Sequence, residues 1–307
     1  MFKSVKLFLL LSIVTSINIY GQKITPNEVY SQVSLISNEV HSLISYYNVQ
    51  HDDAVIRKET KVLVDLKPRN VWQKSYEIMI KINILRNIHN LPTIEPVNMS
   101  PILDLNPDLV YEQTQRILTE LKIFKLRMRI PSIPSKVKKF KNKTPMDVFN
   151  GLSYISASLD ILNKGGLTPS FVFAENMRVY DDISLILEFL EIEDNTIPNL
   201  KNENATPNDT FNTALKILKT IKYLQIKVGI DFVDFNGFKK AKITPSNVFS
   251  LTQMILSELQ TIKAYIGLPV ITVAAGQYKT KTPIEVDQLM SWNLRKLNLI
   301  QSIYKAK

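Results

Sequence analysis

Apolar residues recur along the chain in eight stretches that share one spacing. Counted from a proline at the start of each stretch, they recur at offsets of 3, 7, 10, 14 and 17 positions. Steps of three and four residues place side chains on one face of an amphipathic helix. At offset 14 all eight residues are aliphatic: Val40, Ile82, Leu121, Leu159, Ile183, Ile221, Leu259 and Leu297. The pattern predicts eight helices of about 20–22 residues, each roughly 30 Å long.

The start of each stretch carries a helix-initiation signal. The prolines stand at positions 26, 68, 107, 145, 169, 207, 245 and 283, so the steps are 42, 39, 38, 24, 38, 38 and 38 residues. Threonine, the usual preceding residue, is a good N-cap, and proline suits the first helical position, where its missing N–H has no partner to lose. Five copies add an acid or amide that completes a capping box: Glu28, Asp147, Asp209, Asn247 and Glu285. The sequence therefore predicts an all-α fold of eight long helices, built from a Thr-Pro-capped repeat with a period near 38 residues.

The single 24-residue step divides this series into two halves. We interpret the short connection Lys164-Gly165-Gly166-Leu167 as a tight helical hairpin. Two packed four-helix units, residues 22–166 and 167–307, are the simplest organisation, and a continuous eight-helix array is the alternative. The other linkers, at about 13–19 residues, are long for antiparallel neighbours. We expect them to fold back over the helices, and the direction of successive helices stays open.

Residues 1–21 have the pattern of a secretory leader. Lys3 and Lys6 precede an apolar run from Leu7 to Val14, and a short polar stretch ends at Gly21. This order is typical of a signal peptide. The apolar run is shorter than the roughly 20 residues that span a bilayer. We therefore expect an exported protein, periplasmic or secreted, with no transmembrane span in the mature chain.

The amino-acid composition excludes several classes of site and argues against others. The 307 residues include no cysteine, which excludes disulfides, thiolate metal sites and a cysteine nucleophile. The eight glycines argue against a Gly-rich phosphate loop. The net charge of +10, which comes from 30 lysines and only 8 arginines, becomes +8 without Lys3 and Lys6. Because nucleic-acid readers favour the arginine fork, we expect no nucleic-acid partner.

Titratable residues form no obvious catalytic pattern. The compact run His51-Asp52-Asp53 has no second histidine at helical spacing, so we interpret it, His41 and His89 as solvated or capping groups. We interpret the column at offset 13 as a solvated polar face: Glu39, Lys81, Glu120, Asp182, Thr220, Glu258 and Lys296. No nucleophile elbow, phosphate loop or metalloprotease motif is present. The sequence therefore predicts no catalytic residues, no bound metal, no cofactor and no enzyme activity.

Two surfaces remain candidates for binding. A second apolar track follows the C-terminal halves of the helices: Ile84, Ile88, Ile123, Leu185, Phe189, Tyr223, Tyr265, Leu299 and Ile303. We interpret it as a surface that the linkers cover, and alternatively as a protein-binding stripe. A basic run is either a solvated connector or a contact for an anionic surface. It comprises Lys136, Lys138, Lys139, Lys141 and Lys143.

These patterns favour a non-enzymatic function. The leading hypothesis is an exported helical-repeat protein of the cell envelope that binds another protein or associates with itself. The alternative is a binder of anionic envelope polymer or lipid through the lysine-rich linker. An enzyme with carboxylates in a bundle core ranks last, because the apolar columns hold almost no acids apart from Asp287.

Overall fold

A computed structural model describes residues 23–132, 135–238 and 242–305. The predicted leader, residues 1–21, lies outside these ranges. Within them the chain forms helices and no strand, which confirms the all-α prediction. The α-helices are α1 (Pro26–Tyr46), α2 (Asp53–Thr60), α3 (Pro68–Ile88), α4 (Pro107–Arg127), α5 (Pro145–Leu162), α6 (Pro169–Phe189), α7 (Pro207–Val228), α8 (Pro245–Ile266) and α9 (Pro283–Lys305). A 3-10 turn covers Phe235–Gly237.

The eight long helices begin at the prolines, and five of them show the predicted capping contacts. At α1, the Thr25 hydroxyl accepts a hydrogen bond from the Asn27 N–H, and the Glu28 carboxylate accepts one from the Thr25 N–H at 2.9 Å. The N–H of the cap threonine likewise donates to the acid or amide of the box at α5, α7, α8 and α9. These contacts satisfy N–H groups that the first helical turn leaves without a partner.

The helix ends also share one backbone motif, which the sequence analysis does not predict. Residues just beyond the helices have positive φ angles: Asn48, Asn90, Arg129, Lys164, Glu191, Gly229 and Gly267. The next N–H then bonds back to a carbonyl of the last turn, as from Ile130 to Lys125 at 2.9 Å. This is the Schellman motif. An aliphatic residue 23 positions after most of the prolines was the available signal.

The contacts between the long helices fall into two sets. Helices α1 and α3 each contact both α4 and α5, and these four form the first helix group. Helices α6 and α7 each contact both α8 and α9, and these form the second helix group. In each group, the four prolines and the four residues three positions later line one small apolar cavity. All four helices of a group therefore begin at the same end and run parallel.

Parallel neighbours require the connections to return along the helices. Residues 194–199 show such a return, because they run along α9 in the opposite direction to it. Asp194 pairs with Lys296 in the C-terminal half of α9, and the Asn199 carbonyl accepts from Gln288 near its start at 2.7 Å. The long linkers thus supply the length that parallel packing needs.

The column at offset 13 differs from its predicted role. Six of its members are buried: Glu39, Lys81, Asp182, Thr220, Glu258 and Lys296. Parallel packing places this column opposite offset 18 of a neighbouring helix. Lys125 therefore reaches Glu39 at 2.8 Å, and Lys263 reaches Asp182 at 2.8 Å. Arg86 with Glu120 and Gln225 with Glu258 repeat this arrangement. The column forms interhelical polar contacts and is not a solvated face.

The two groups meet through α3 and α8, which run antiparallel. Near the start of α3, Arg69 pairs with Glu258 in the C-terminal half of α8 at 2.9 Å. Further along α3, Lys74 donates to Ser250 near the start of α8 at 3.0 Å. The end of the molecule where the first group begins is therefore the end where the second group finishes.

The predicted hairpin at residues 164–167 is corrected in one respect. The chain reverses direction there, but within the described residues α5 and α6 make no contact with each other. Leu167 is buried, and its N–H lies 3.5 Å from the Ser246 hydroxyl at the start of α8. The short connection therefore leads into the second group instead of pairing the two helices that it joins.

Candidate functional site

Two histidines and an aspartate that are separated in the sequence lie together in the first helix group. His41 lies on α1, His51 lies in the connection to α2, and Asp53 is the first residue of α2. Helix α2 packs against α5, which brings Asp53 to Tyr154. We call His41, His51, Asp53 and Tyr154 the His–Asp cluster.

Both imidazoles of the cluster face one carboxylate. Nε2 of His41 lies 3.0 Å from Oδ2 of Asp53, and Nδ1 of His51 lies 2.8 Å from Oδ1. The Tyr154 hydroxyl lies 2.6 Å from Oδ1 of Asp53 and 2.7 Å from Nε2 of His41. One possible ligand atom from each histidine and from Asp53 lies within 4.8 Å of the others. Two imidazoles and a carboxylate are a ligand set for a divalent transition metal.

The second nitrogen of each ring has a partner that fixes its proton. Nδ1 of His41 donates to the Ser37 backbone carbonyl at 2.8 Å, because a carbonyl oxygen only accepts. Nε2 of His51 lies 2.9 Å from the Ser158 hydroxyl, which gives its own hydrogen to the Tyr154 carbonyl. His51 therefore donates to Ser158. In the neutral rings, the nitrogens that face Asp53 carry lone pairs.

Burial and hydrogen bonding set the charge of the cluster. The His51 side chain is only 5% exposed, against 36% for His41 and 51% for Asp53. Burial lowers the pKa of His51, and this outweighs the opposite effect of Asp53. Burial raises the pKa of Asp53, but the hydrogen bond from Tyr154 and the two nearby imidazoles hold that pKa below its ordinary value. Burial also raises the pKa of the Tyr154 hydroxyl, which stays protonated at neutral pH.

The histidines differ in part from the sequence interpretation. His89 is the C-cap residue of α3, as a capping role would require, and it stacks on Tyr47. His51 is not solvated, and it shares a carboxylate with His41. Residue spacing does not predict the cluster, because it indicates only a linker after α1 and no helix α2. The available signal was Asp52, whose carboxylate caps α2 by accepting from two N–H groups at 3.0 Å.

The contact from His41 to Asp53 has simpler equivalents elsewhere. In three other helices, the residue at offset 15 likewise contacts the segment that follows its own helix: Asn83 with Ile94, Lys222 with Asp234, and Gln260 with Thr272. Lys222 and Asp234 have the same 12-residue separation as His41 and Asp53, and lie 2.6 Å apart. Only the His41 contact brings in a second imidazole.

A different carboxylate cluster lies where α3, α5 and α8 meet. Glu77 accepts hydrogen bonds from Lys74 at 2.8 Å, from Ser156 at 2.5 Å and from Ser250 at 2.7 Å. Lys81 lies 3.3 Å away. Burial raises the pKa of Glu77, but the two lysines outweigh it and lower that pKa to about 2. We call this set the Glu77 cluster, and its contacts join the two helix groups.

The predicted apolar track separates into two parts. Residues at offset 16 are partly buried: Ile84, Ile123, Leu185, Tyr223 and Leu299. Residues at offset 20 are exposed by about two fifths or more: Ile88, Phe189, Tyr265 and Ile303. Three of these, Phe189, Tyr265 and Ile303, lie in the last turns of parallel helices of the second group. We call these three residues the apolar rim.

The predicted basic run lies at the same end of the molecule as the apolar rim. Phe140 packs edge-on against Tyr30 near the start of α1, and Lys143 lies over the Tyr30 ring at 4.3 Å. The other four lysines are exposed: Lys136, Lys138, Lys139 and Lys141. We call these four the lysine segment. Because the first group begins where the second finishes, this end carries both exposed positive charge and exposed apolar side chains.

The described helices include none with the length and hydropathy of a membrane span. Comparisons with protein-family models, with curated proteins and with solved structures find no match to this chain.

Proposed function

We propose that this chain is an exported, non-enzymatic helical-repeat protein of the cell envelope that binds a protein partner. The exposed end that combines the apolar rim with the lysine segment supports this proposal most strongly. Large exposed apolar side chains beside polar groups are typical of protein-binding surfaces. The leader pattern in residues 1–21 supports export, to the periplasm or the medium.

The proposed architecture is two four-helix units that arose from one repeat. The identical order of helix contacts in the two groups supports it, since the first and second helices of each group both contact the third and fourth. The shared caps and the offset 18 to offset 13 contacts give further support. In this proposal the repeat specifies a rigid scaffold, and function depends on residues that differ between copies.

Site-specific photo-crosslinking in the producing cells tests the proposal. A photoreactive phenylalanine analogue replaces Tyr265 in the apolar rim, and the matched control replaces Tyr46. Tyr46 also occupies offset 20 and is also exposed, but it lies at the opposite end of the molecule. We expect one discrete crosslinked protein from position 265 and none from position 46. The same pattern at both positions, or no crosslink at position 265, contradicts the proposal.

A second candidate function is binding of an anionic envelope polymer or lipid surface. Its support is the lysine segment, whose four exposed side chains carry charge of one sign. Replacing all four lysines with glutamine separates the candidates, together with a variant that changes Phe189 and Tyr265 to serine. Envelope binding that disappears with salt and with the lysine changes alone favours the polymer. Binding that survives moderate salt and needs the apolar residues favours the protein.

A further inference from the structure

We infer that the His–Asp cluster is a binding site for a divalent transition-metal ion such as Zn²⁺. The inference goes beyond the proposed envelope function and depends on different residues. Its ligands are Nε2 of His41, Nδ1 of His51 and the carboxylate of Asp53. The atoms of the cluster divide into those that can donate a hydrogen and those that can only accept one.

The acceptors in the cluster outnumber the available hydrogens. The proton of His41 is used on the Ser37 carbonyl, and that of His51 is used on the Ser158 hydroxyl. In the neutral rings, both remaining nitrogens then direct lone pairs at Asp53, whose ionised oxygens also only accept. Tyr154 supplies one hydrogen, which satisfies one of these contacts. A cation among the three groups converts the facing lone pairs into ligands.

The distances suit such an ion. Bonds of about 2.0–2.1 Å to Zn²⁺ in a tetrahedral site place neighbouring ligand atoms about 3.3 Å apart. The two nitrogen-to-oxygen distances are 3.0 and 2.8 Å, and the three ligand atoms lie within 4.8 Å of one another, so the side chains close around the ion when it binds. The partial exposure of His41 and Asp53 provides a path for entry from solvent.

The surrounding contacts match those of a metal centre. Metal-bound imidazoles usually donate their second N–H to a carbonyl, carboxylate or other acceptor, which fixes ring orientation and tautomer. Ser37 and Ser158 supply these acceptors, and Tyr154 donates to the ligating carboxylate. The guanidinium of Arg57 stacks 3.9 Å over the Tyr154 ring and packs against it. The ligands are therefore oriented before an ion arrives.

The equivalent contact in α7 shows that a helix can hold its following segment without two histidines and a carboxylate. Lys222 and Asp234 join a helix to its following segment with one ion pair. In the first group, the same position uses two imidazoles with fixed tautomers, one of them buried. This elaboration is what a metal site requires and what a simple ion pair lacks.

Calorimetric titration of the untagged chain with Zn²⁺ tests the inference, and native mass spectrometry counts the bound ions. We expect one Zn²⁺ per chain in the unaltered protein. His51→Ala and Asp53→Asn should each weaken binding by more than the ~10–100-fold typical of losing an outer contact. Ser158→Ala removes such an outer contact and should fall within that range. Asp234→Asn, the matched control at the equivalent ion pair, should bind like the unaltered chain.

Two results would overturn the inference. One is no stoichiometric Zn²⁺ binding by a chain whose helical circular dichroism is intact. The other is equal Zn²⁺ affinity in the unaltered, His51→Ala and Asp53→Asn chains, which would place the ion elsewhere. Bound Co²⁺ gives a second readout, because its visible absorption bands report nitrogen and oxygen ligands directly. Loss of these bands only in the cluster variants excludes a general folding defect when helicity is unchanged.

Discussion

The Glu77 cluster and the His–Asp cluster each surround one carboxylate with nitrogen-bearing side chains, but their hydrogen bonds differ in kind. Every group close to Glu77 is a donor, since two ammonium groups and two hydroxyls meet its oxygens. Around Asp53, two ring nitrogens have their protons engaged elsewhere. Because donors satisfy the Glu77 oxygens, the Glu77 cluster is explained as a structural contact. Facing acceptors indicate a position for a cation.

Removing the carboxylate of the Glu77 cluster should cause the largest loss of stability. Glu77→Ala leaves Lys74 and Lys81 buried with less opposite charge, and removing one partner of a buried pair costs about 3–5 kcal/mol. We expect urea denaturation to show a loss of this size in the free energy of unfolding. A loss below 1 kcal/mol would show that the Glu77 cluster does not hold the two groups together.

Acid should weaken the Glu77 cluster in a defined pH range. The pKa of Glu77 is about 2 in the folded chain, below its ordinary value of 4.5, because Lys74 and Lys81 outweigh its burial. The stabilisation is therefore fully present above pH 4.5 and is lost as the pH falls towards 2. Asp160, also near Lys81, is the other carboxylate facing this site. Urea midpoints should fall more steeply over this range in the unaltered chain than in Glu77→Gln, and parallel curves would contradict the assignment.

Sequence predicts much of this fold because the determinants are local and repeated. The prolines, the cap residues and the apolar spacing predict where the long helices start and, except for the 18-residue α5, roughly how long they are. The polar column at offset 13 could not be assigned, because whether Lys81 is solvated or buried depends on which helix lies opposite. Predicting the His–Asp cluster requires knowing the turn after α1 and the packing of α2 on α5, and residue spacing reveals neither. The apolar track was predicted as one stripe, but packing buries Ile84 and exposes Tyr265.

Zinc should distinguish the two clusters through stability. An ion that binds only the folded chain adds about 2.7 kcal/mol to the unfolding free energy when its free concentration is 100 times Kd. We expect this gain in the unaltered chain and in Lys81→Met, whose change lies in the Glu77 cluster. Asp53→Asn should gain less than about 0.5 kcal/mol at the same Zn²⁺ concentration. Thermal unfolding with and without Zn²⁺ measures the difference, and an equal gain in Asp53→Asn would contradict the site.

The smallest effect is expected at the simple ion pair of α7. Lys222 and Asp234 are partly exposed, and exposed ion pairs contribute about 0–1 kcal/mol. Asp234→Asn should therefore change the free energy of unfolding by less than 1 kcal/mol and leave Zn²⁺ binding unchanged. Urea denaturation checks the first expectation and calorimetry the second. A large loss of stability would mean that the contact between α7 and its following linker stabilises the fold more than an exposed ion pair usually does.

Anomalous X-ray diffraction at the zinc absorption edge would locate a bound Zn²⁺ ion by its position and its element. Crystals of the chain grown with one equivalent of Zn²⁺ should show one strong anomalous peak among Nε2 of His41, Nδ1 of His51 and the Asp53 carboxylate. The rings should keep their contacts to the Ser37 carbonyl and the Ser158 hydroxyl. No peak at the cluster, or zinc bound only at other surface groups, would contradict the account.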